Sequence, residues 1–269
     1  MLKKILIYFT VALVLGAMGA YFFFAQQLYS TNMPAQMCKS VNVTLLDSLQ
    51  NRFVTKNEVV EIIDGFMGKS EGKSVGDIDL HLIEKLLNQR SAIKVSQASI
   101  TRAGDLRIDI TQRKPVLRIQ TDNGGFYVDE TGYIFPLVES FSSYVPIVTG
   151  HIPLDIDPSH RGNVEDGAGS WIEQLVEFGR FLNKNQFWNA MIEQIYVEKN
   201  GDIILSPKVG NMEIIIGQMN NLEDKFSRLL AFYKNIAPSQ GWNKYSTVNL
   251  KYRDQIVCKL NKNNKAKTI

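Results

Sequence analysis

Residues 55–66 read Thr-Lys-Asn-Glu-Val-Val-Glu-Ile-Ile-Asp-Gly-Phe. The Thr55 hydroxyl can accept from the Glu58 amide while the Glu58 carboxylate reaches back, so two donors that a helix start leaves free find partners. Val59, Ile62, Ile63 and Phe66 then recur at helical spacing, which predicts a helix of about three turns with that stripe buried. Upstream, Val41-Asn42-Val43 with Leu45 alternates as a strand. Downstream, a Gly/Lys/Ser loop from Gly65 to Gly76 leads to Asp79, which caps a second helix carrying Leu80, Ile83, Leu86 and Leu87. Ile93 with Val95, then Ala98 with Ile100, predict a strand whose change of parity marks a bulge or kink. Ala103-Gly104-Asp105 turns the chain into a strand of Leu106, Ile108 and Ile110. The predicted order is strand, helix, helix, strand, strand.

Beyond residue 112 strands dominate. Phe126-Tyr127-Val128 runs through Asp129-Glu130-Thr131-Gly132 into Tyr133-Ile134-Phe135, a hairpin signal. Ser170-Trp171-Ile172-Glu173 has capping-box spacing ahead of a helix with Trp171, Leu175, Phe178 and Leu182 on one face. Ile195 and Val197, a turn at Asn200-Gly201, then Ile203 and Leu205 predict a hairpin, followed by a strand of Met212, Ile214 and Ile216. Leu222, Phe226, Leu229, Leu230 and Tyr233 mark a helix that Pro238 is expected to stop. Val248, Leu250 and Tyr252 alternate as a late strand, and Ile256 to Leu260 offer one more beyond a turn at Arg253-Asp254.

Ile5 to Phe24 form an unbroken apolar run, and no charged side chain lies between Lys4 and Lys39. About 20 helical residues cross a hydrocarbon core of about 30 Å. Lys3 and Lys4 precede the run, which predicts an N-terminus in the cytoplasm and everything after residue 25 outside it. A cleaved signal peptide is the competing reading, with Ala17 and Gly19 as small residues near a cleavage site. Tyr21-Phe22-Phe23-Phe24 extend the apolar run past that point as an interfacial aromatic belt, which favours a retained anchor.

The whole chain thus reads as α+β. Residues 1–25 are a short cytoplasmic end and transmembrane helix, 26–37 a linker and 38–113 a small βααββ domain. Residues 114–260 form a mixed α/β domain with an antiparallel sheet, and 261–269 a disordered basic tail.

At 269 residues, 45% hydrophobic and 21% charged, the chain has material for two ordinary domains. Its 30 basic and 27 acidic side chains create no field that points to nucleic acid. Three histidines leave most metal and triad schemes short of parts. His151 and His160 bracket Asp155 and Asp157, but the segment also holds Pro153 and reads as a polar surface loop. Gly68-Lys69-Ser70 matches only the end of a phosphate-binding loop, and no Cys-x-x-Cys or Gly-x-Ser-x-Gly occurs. Cys38 and Cys258 lie far apart in sequence and read as small hydrophobes. No catalytic residue, cofactor or metal is expected.

Several segments carry a resemblance. Gln112-Arg113-Lys114-Pro115-Val116 resembles the Glu-Arg-x-Pro-Val junction that closes the POTRA domain of the FtsQ/DivIB cell-division family, with Gln112 in place of the acid. Residues 126–135 resemble the family's Val-Asp-x-x-Gly-x-x-Phe hairpin, and Val145-Pro146-Ile147-Val148-Thr149-Gly150 its Leu-Pro-x-Ile-x-Gly. Lys225-Phe226 with Leu229-Leu230 resembles the late helix. Val248-Asn249-Leu250-Lys251-Tyr252 resembles Val-Asp-Leu-Arg-Tyr, with Asn249 for Asp and Lys251 for Arg, which puts any family salt bridge there in question. The resemblance implies a POTRA domain, no catalysis, and a divisome scaffold at the septum of the inner membrane. It also implies FtsB and FtsL as partners and a part in regulating septal peptidoglycan synthesis.

Two other classes compete with it. A polypeptide-handling POTRA protein of an export or envelope-assembly system needs barrel strands that have no room here, and a membrane-tethered cell-wall hydrolase needs a nucleophile or metal set that does not assemble. In the implied family the last strands form an edge to which a partner segment adds. The expected contact residues are therefore Val248, Leu250, Tyr252, Arg253, Asp254, Gln255, Ile256, Val257 and Cys258.

Overall fold

The fold is taken from a computed structural model, which describes residues 2–31, 36–47, 52–157, 159–164 and 167–261. Helix α1 (Leu2–Thr31) holds the apolar run, and its window Tyr8–Gln26 spans 19 residues, none buried within the protein. At about 1.5 Å per residue that window covers roughly 28 Å, close to a hydrocarbon core. The helix continues past Phe24 into the expected linker, and the rest of that linker is described only from residue 36.

The chain divides into two compact units. The first comprises Met1–Thr44, Lys56–Leu87 and Ser96–Asp109, and the second Leu45–Thr55, Asn88–Val95 and Ile110–Ile269. Strand β1 (Val41–Leu45), helices α2 (Lys56–Met67) and α3 (Leu80–Asn88), and strands β2 (Ile93–Ile100) and β3 (Leu106–Gln112) follow in the predicted βααββ order. The three strands form a sheet ordered β1-β3-β2.

In the first unit Val43, Val59, Ile63, Ile83, Leu87, Leu106 and Ile108 are buried. Helix α2 begins directly after Thr55, and Asp79 Oδ1 accepts from the Leu82 amide at 2.9 Å, the cap expected for α3. Phe66 departs from the prediction. It continues the stripe of Val59 and Ile63 but is 58% exposed, because α2 ends at Met67 and the stripe outruns the surface that covers it. The parity change in β2 is present: Ile93 and Ser96 are buried while Lys94 and Val95 both face solvent.

The second unit is built on a nine-stranded sheet. Its strands are β4 (Pro115–Thr121), β5 (Gly124–Asp129), β6 (Ile134–Pro136), β7 (Ile147–Gly150), β8 (Ile192–Val197), β9 (Ile203–Pro207), β10 (Glu213–Gly217), β11 (Tyr245–Asn249) and β12 (Val257–Leu260). They lie in the order β12-β11-β10-β9-β8-β7-β4-β5-β6. The sheet is antiparallel except where β7 meets β4 and β8, and where β10 meets β11. Each parallel junction needs a crossover. Helices α4 (Gly167–Lys184) and α5 (Gln186–Met191) connect β7 to β8, and helix α6 (Leu222–Ala231) leads from β10 toward β11.

Leu175, Phe178 and Leu182 of α4 and Phe226 and Leu229 of α6 join Ile119, Ile195, Leu205, Ile214 and Val248 of the sheet in one core.

Two helix boundaries differ from the sequence reading. Helix α4 already runs at Gly167, so Ser170 lies inside it rather than capping it. Pro238 does not end the late helix. A π-turn over Phe232–Ile236 widens the backbone after α6, and Pro238 then sits in the first turn of a short helix α7 (Ala237–Gln240), where a missing amide is tolerated. The stop falls at Gly241, whose φ is 92°.

The junction and hairpin motifs meet in the second unit. Asp129 is buried, and its Oδ1 accepts from the Thr131 amide at 2.8 Å, the Thr131 hydroxyl at 2.6 Å and the Tyr133 amide at 3.1 Å. Its Oδ2 accepts from Arg113 Nη1 at 2.8 Å, and the Arg113 guanidinium carbon stands 3.3 Å from the Tyr133 ring centroid. Gln112 is also buried: its Oε1 accepts from the Val54 amide at 3.0 Å and its Nε2 donates to Asp47 at 3.1 Å. That amide donor explains why glutamine suits a position where the family motif has an acid.

Candidate partner-binding edge

Strand β12 lies at one end of the sheet, with β6 at the other. It pairs antiparallel with β11, Val248 opposite Cys258 and Asn249 opposite Val257, while β11 pairs parallel with β10 on its other side. The Asn261 amide donates to Lys244 O at 2.8 Å, and the Leu250 amide to Ile215 O at 2.8 Å. By strand alternation, the amides of Val257 and Lys259 face β11, and those of Cys258 and Leu260 face away from the sheet. Those outward groups, with their carbonyls, are a template for another strand.

The sequence-derived contact residues separate into three groups here. Val248 and Leu250 are core residues, fully buried against the helices. Ile256 and Cys258 are half-buried and pack on the rim of the same core, and burial pushes the Cys258 thiol pKa up. Tyr252 is 50% exposed, Val257 is 46% exposed, and Arg253, Asp254 and Gln255 face solvent. Leu260, outside the sequence-derived set, is 55% exposed at the far end of β12.

Tyr252 is not on a strand, contrary to its alternation with Val248 and Leu250. Strand β11 ends at Asn249, whose Oδ1 accepts from the Lys251 amide at 2.9 Å and starts a turn. Asp254 completes that turn with a left-handed φ of 59°.

The turn is fastened at two points. Lys251 Nζ stands 2.5 Å from Asp202 Oδ2 at the start of β9, so the Lys251 substitution keeps an ion pair. The Lys251 stem crosses Gly217, where a Cβ would come within 2.8 Å of Lys251 Cγ. A charged hydrogen bond from Lys251 holds the Asp202 carboxyl below its usual pKa, helped by Asn200 and Gln218. The second fastener is Arg228 on α6, bonded to the carbonyl oxygens of Leu250, Tyr252 and Gln255. Sequence reading missed both Asp202 and Arg228. The only signals were an acid after a turn and an Asp224/Arg228 pair at helical spacing. Beside them Lys225 is buried, donating to Gln218 O at 2.8 Å and Asn220 Oδ1 at 2.9 Å, and desolvation lowers its pKa.

The histidines and acids that could carry chemistry lie elsewhere. His81 faces solvent on α3. Asp157 is engaged by the Ser159 amide at 2.8 Å and the Ser159 hydroxyl, which together lower its pKa. Among the described residues no three His, Cys, Asp or Glu side chains converge as metal ligands, and Cys38 and Cys258 are free thiols.

Comparison with known proteins gives the class and then the family. Residues 36–111 match the family model of the POTRA-like domain, so this is a POTRA-bearing protein with a second, sheet-rich domain. Residues 114–259 match the model described as FtsQ/DivIB, C-terminal related. The chain belongs to the FtsQ/DivIB family of cell-division proteins. It is similar to the cell division protein FtsQ of Rhodothermus marinus, 25% identical over 205 residues covering 69% of this chain and 67% of the relative.

Proposed function

We propose that this protein is a non-catalytic scaffold of the division machinery. It is anchored in the cytoplasmic membrane by α1, with its N-terminus in the cytoplasm and its two domains outside, and it recruits FtsB- and FtsL-type proteins to the septum. Through them it helps regulate septal peptidoglycan synthesis. Among the described residues no strand covers the outer side of β12, and that edge carries this reading. An extended partner segment adding there gains main-chain hydrogen bonds from Cys258 and Leu260, while Tyr252, Val257 and Leu260 supply side-chain selectivity. Tyr252 offers a large, stiff contact surface at low entropic cost.

The test is co-purification of an FtsB-type partner with the full-length protein. Leu260→Pro removes one outward amide and leaves the amides that face β11, so it should abolish or strongly weaken capture while the fold survives. Tyr252→Ala should weaken binding by about 2 kcal/mol. Wild-type capture by a folded Leu260→Pro protein moves the partner site away from this edge.

A further inference from the structure

Arg228 directs three of its five N–H donors to the segment between the last two strands and the other two to Asp224. Nη1 donates to Tyr252 O at 2.8 Å and to Gln255 O at 2.5 Å. Nη2 donates to Leu250 O at 3.2 Å and to Asp224 Oδ2 at 2.8 Å, and Nε donates to the same carboxylate oxygen at 3.1 Å. All five N–H donors of the side chain are thereby used, three of them on main-chain carbonyls of one turn. The Arg228 side chain is only 16% exposed, although its partner Asp224 and most of these bonds lie at the surface. Residues 250–255 belong to neither strand, and their carbonyls need partners other than a ladder. Asp254 holds a left-handed backbone, a conformation that persists where its surroundings enforce it.

Strand β12 needs that support. It is four residues long, rests on one neighbour, and its pairing with β11 is interrupted by a register shift between Tyr245 and Thr247. Short edge strands sit at the low-stability end of a fold. If only a fraction of molecules present the edge correctly, apparent affinity for a partner falls by that fraction.

We infer that Arg228 is a positioning residue for partner docking. By gripping three carbonyl oxygens of the turn, it sets the direction in which β12 leaves β11 and presents Tyr252 beside the edge. The inference rests on the edge reading above. Asp224 orients the guanidinium, its carboxylate accepting from Arg228 Nε and Nη2.

The test uses full-length protein in detergent and purified FtsB-type partner, with three readouts: dissociation constant, melting temperature and amide exchange resolved along the chain. Arg228→Ala should weaken binding about tenfold or more and speed exchange in residues 250–260 alone, with β9 and β10 unchanged. Arg228→Lys keeps the charge but not the planar fork, and should resemble alanine. Asp224→Ala should stay within about threefold of wild type. Near-normal binding by Arg228→Ala, alongside loss in Leu260→Pro, overturns the inference and keeps the edge. So does faster exchange across β8–β10 with a matching fall in melting temperature, which makes Arg228 a general stabiliser. Normal binding by Leu260→Pro removes the edge reading, and the inference with it.

Discussion

At the scale of single residues, departures from the family motifs are matched by compensating neighbours. Gln112 stands where an acid is usual, and its amide donates to Asp47 while its carbonyl serves the Val54 amide. Gln112→Glu would set two carboxylates together in a buried site and should destabilise the fold by about 3 kcal/mol. Adding Asp47→Asn should recover part of that loss, and denaturant unfolding of the four proteins in a double-mutant cycle measures the coupling. Asp202 makes a second case. Its folded pKa lies below the unfolded value of about 3.9, so its contribution is complete above that value and is lost as pH falls through the folded pKa. Melting temperatures taken from pH 6 down to pH 2 should fall less steeply for Asp202→Asn than for wild type. Identical slopes would show that the Lys251 pair does not feed acid stability.

At the scale of elements, the sheet decides what each strand can do. Strand β7 runs parallel to both of its neighbours, so its exit must clear the end of β8. Gly150 makes that exit possible. Its φ is 98°, the His151 amide donates to Val197 O at 2.8 Å, and a Cβ at position 150 would lie 2.3 Å from that same oxygen. The obstacle is backbone, which cannot swing aside as a side chain does. Gly150→Ala should therefore cost about 3 kcal/mol of stability, read as a fall in the melting temperature of the folded domains. This is a physical reason for glycine at the end of the Val145–Gly150 motif. Strand β11 shows the opposite limit: covered by β10 and β12, it has no outward row of amides to offer, and its buried Val248 belongs to the core.

At the scale of the whole molecule, the fate of the apolar N-terminal helix governs where the folded units work. Helix α1 presents a window long and apolar enough to span a bilayer, with aromatic residues 21–24 near the window's C-terminal end. Retention predicts that mass spectrometry of the mature protein finds residues 1–19 intact and that the protein stays in the membrane fraction after alkaline extraction. A mature chain beginning near Ala20 would show that the segment is a cleaved signal. A protease added to spheroplasts with an intact cytoplasmic membrane should remove both folded units and spare α1, which tests the proposed orientation.

Period and punctuation in the sequence determined the first unit's element order, the Asp79 cap, the β2 parity break, and the β5–β6 and β8–β9 hairpins, while the order of motifs along the chain carried the family resemblance. These are local signals, carried by residues within a few positions of each other. Strand order was another matter. Alternation places Val248, Leu250 and Tyr252 on one strand, yet it carries no information about which neighbour covers that strand or where an Asn249 turn ends it. Packing in three dimensions made β12 the edge, turned Val248 and Leu250 inward, and brought Arg228 and Asp202 to the turn from 22 and 49 residues away in the chain. Contacts between residues that far apart follow from how helices and strands stack to bury apolar area, and no local pattern encodes them.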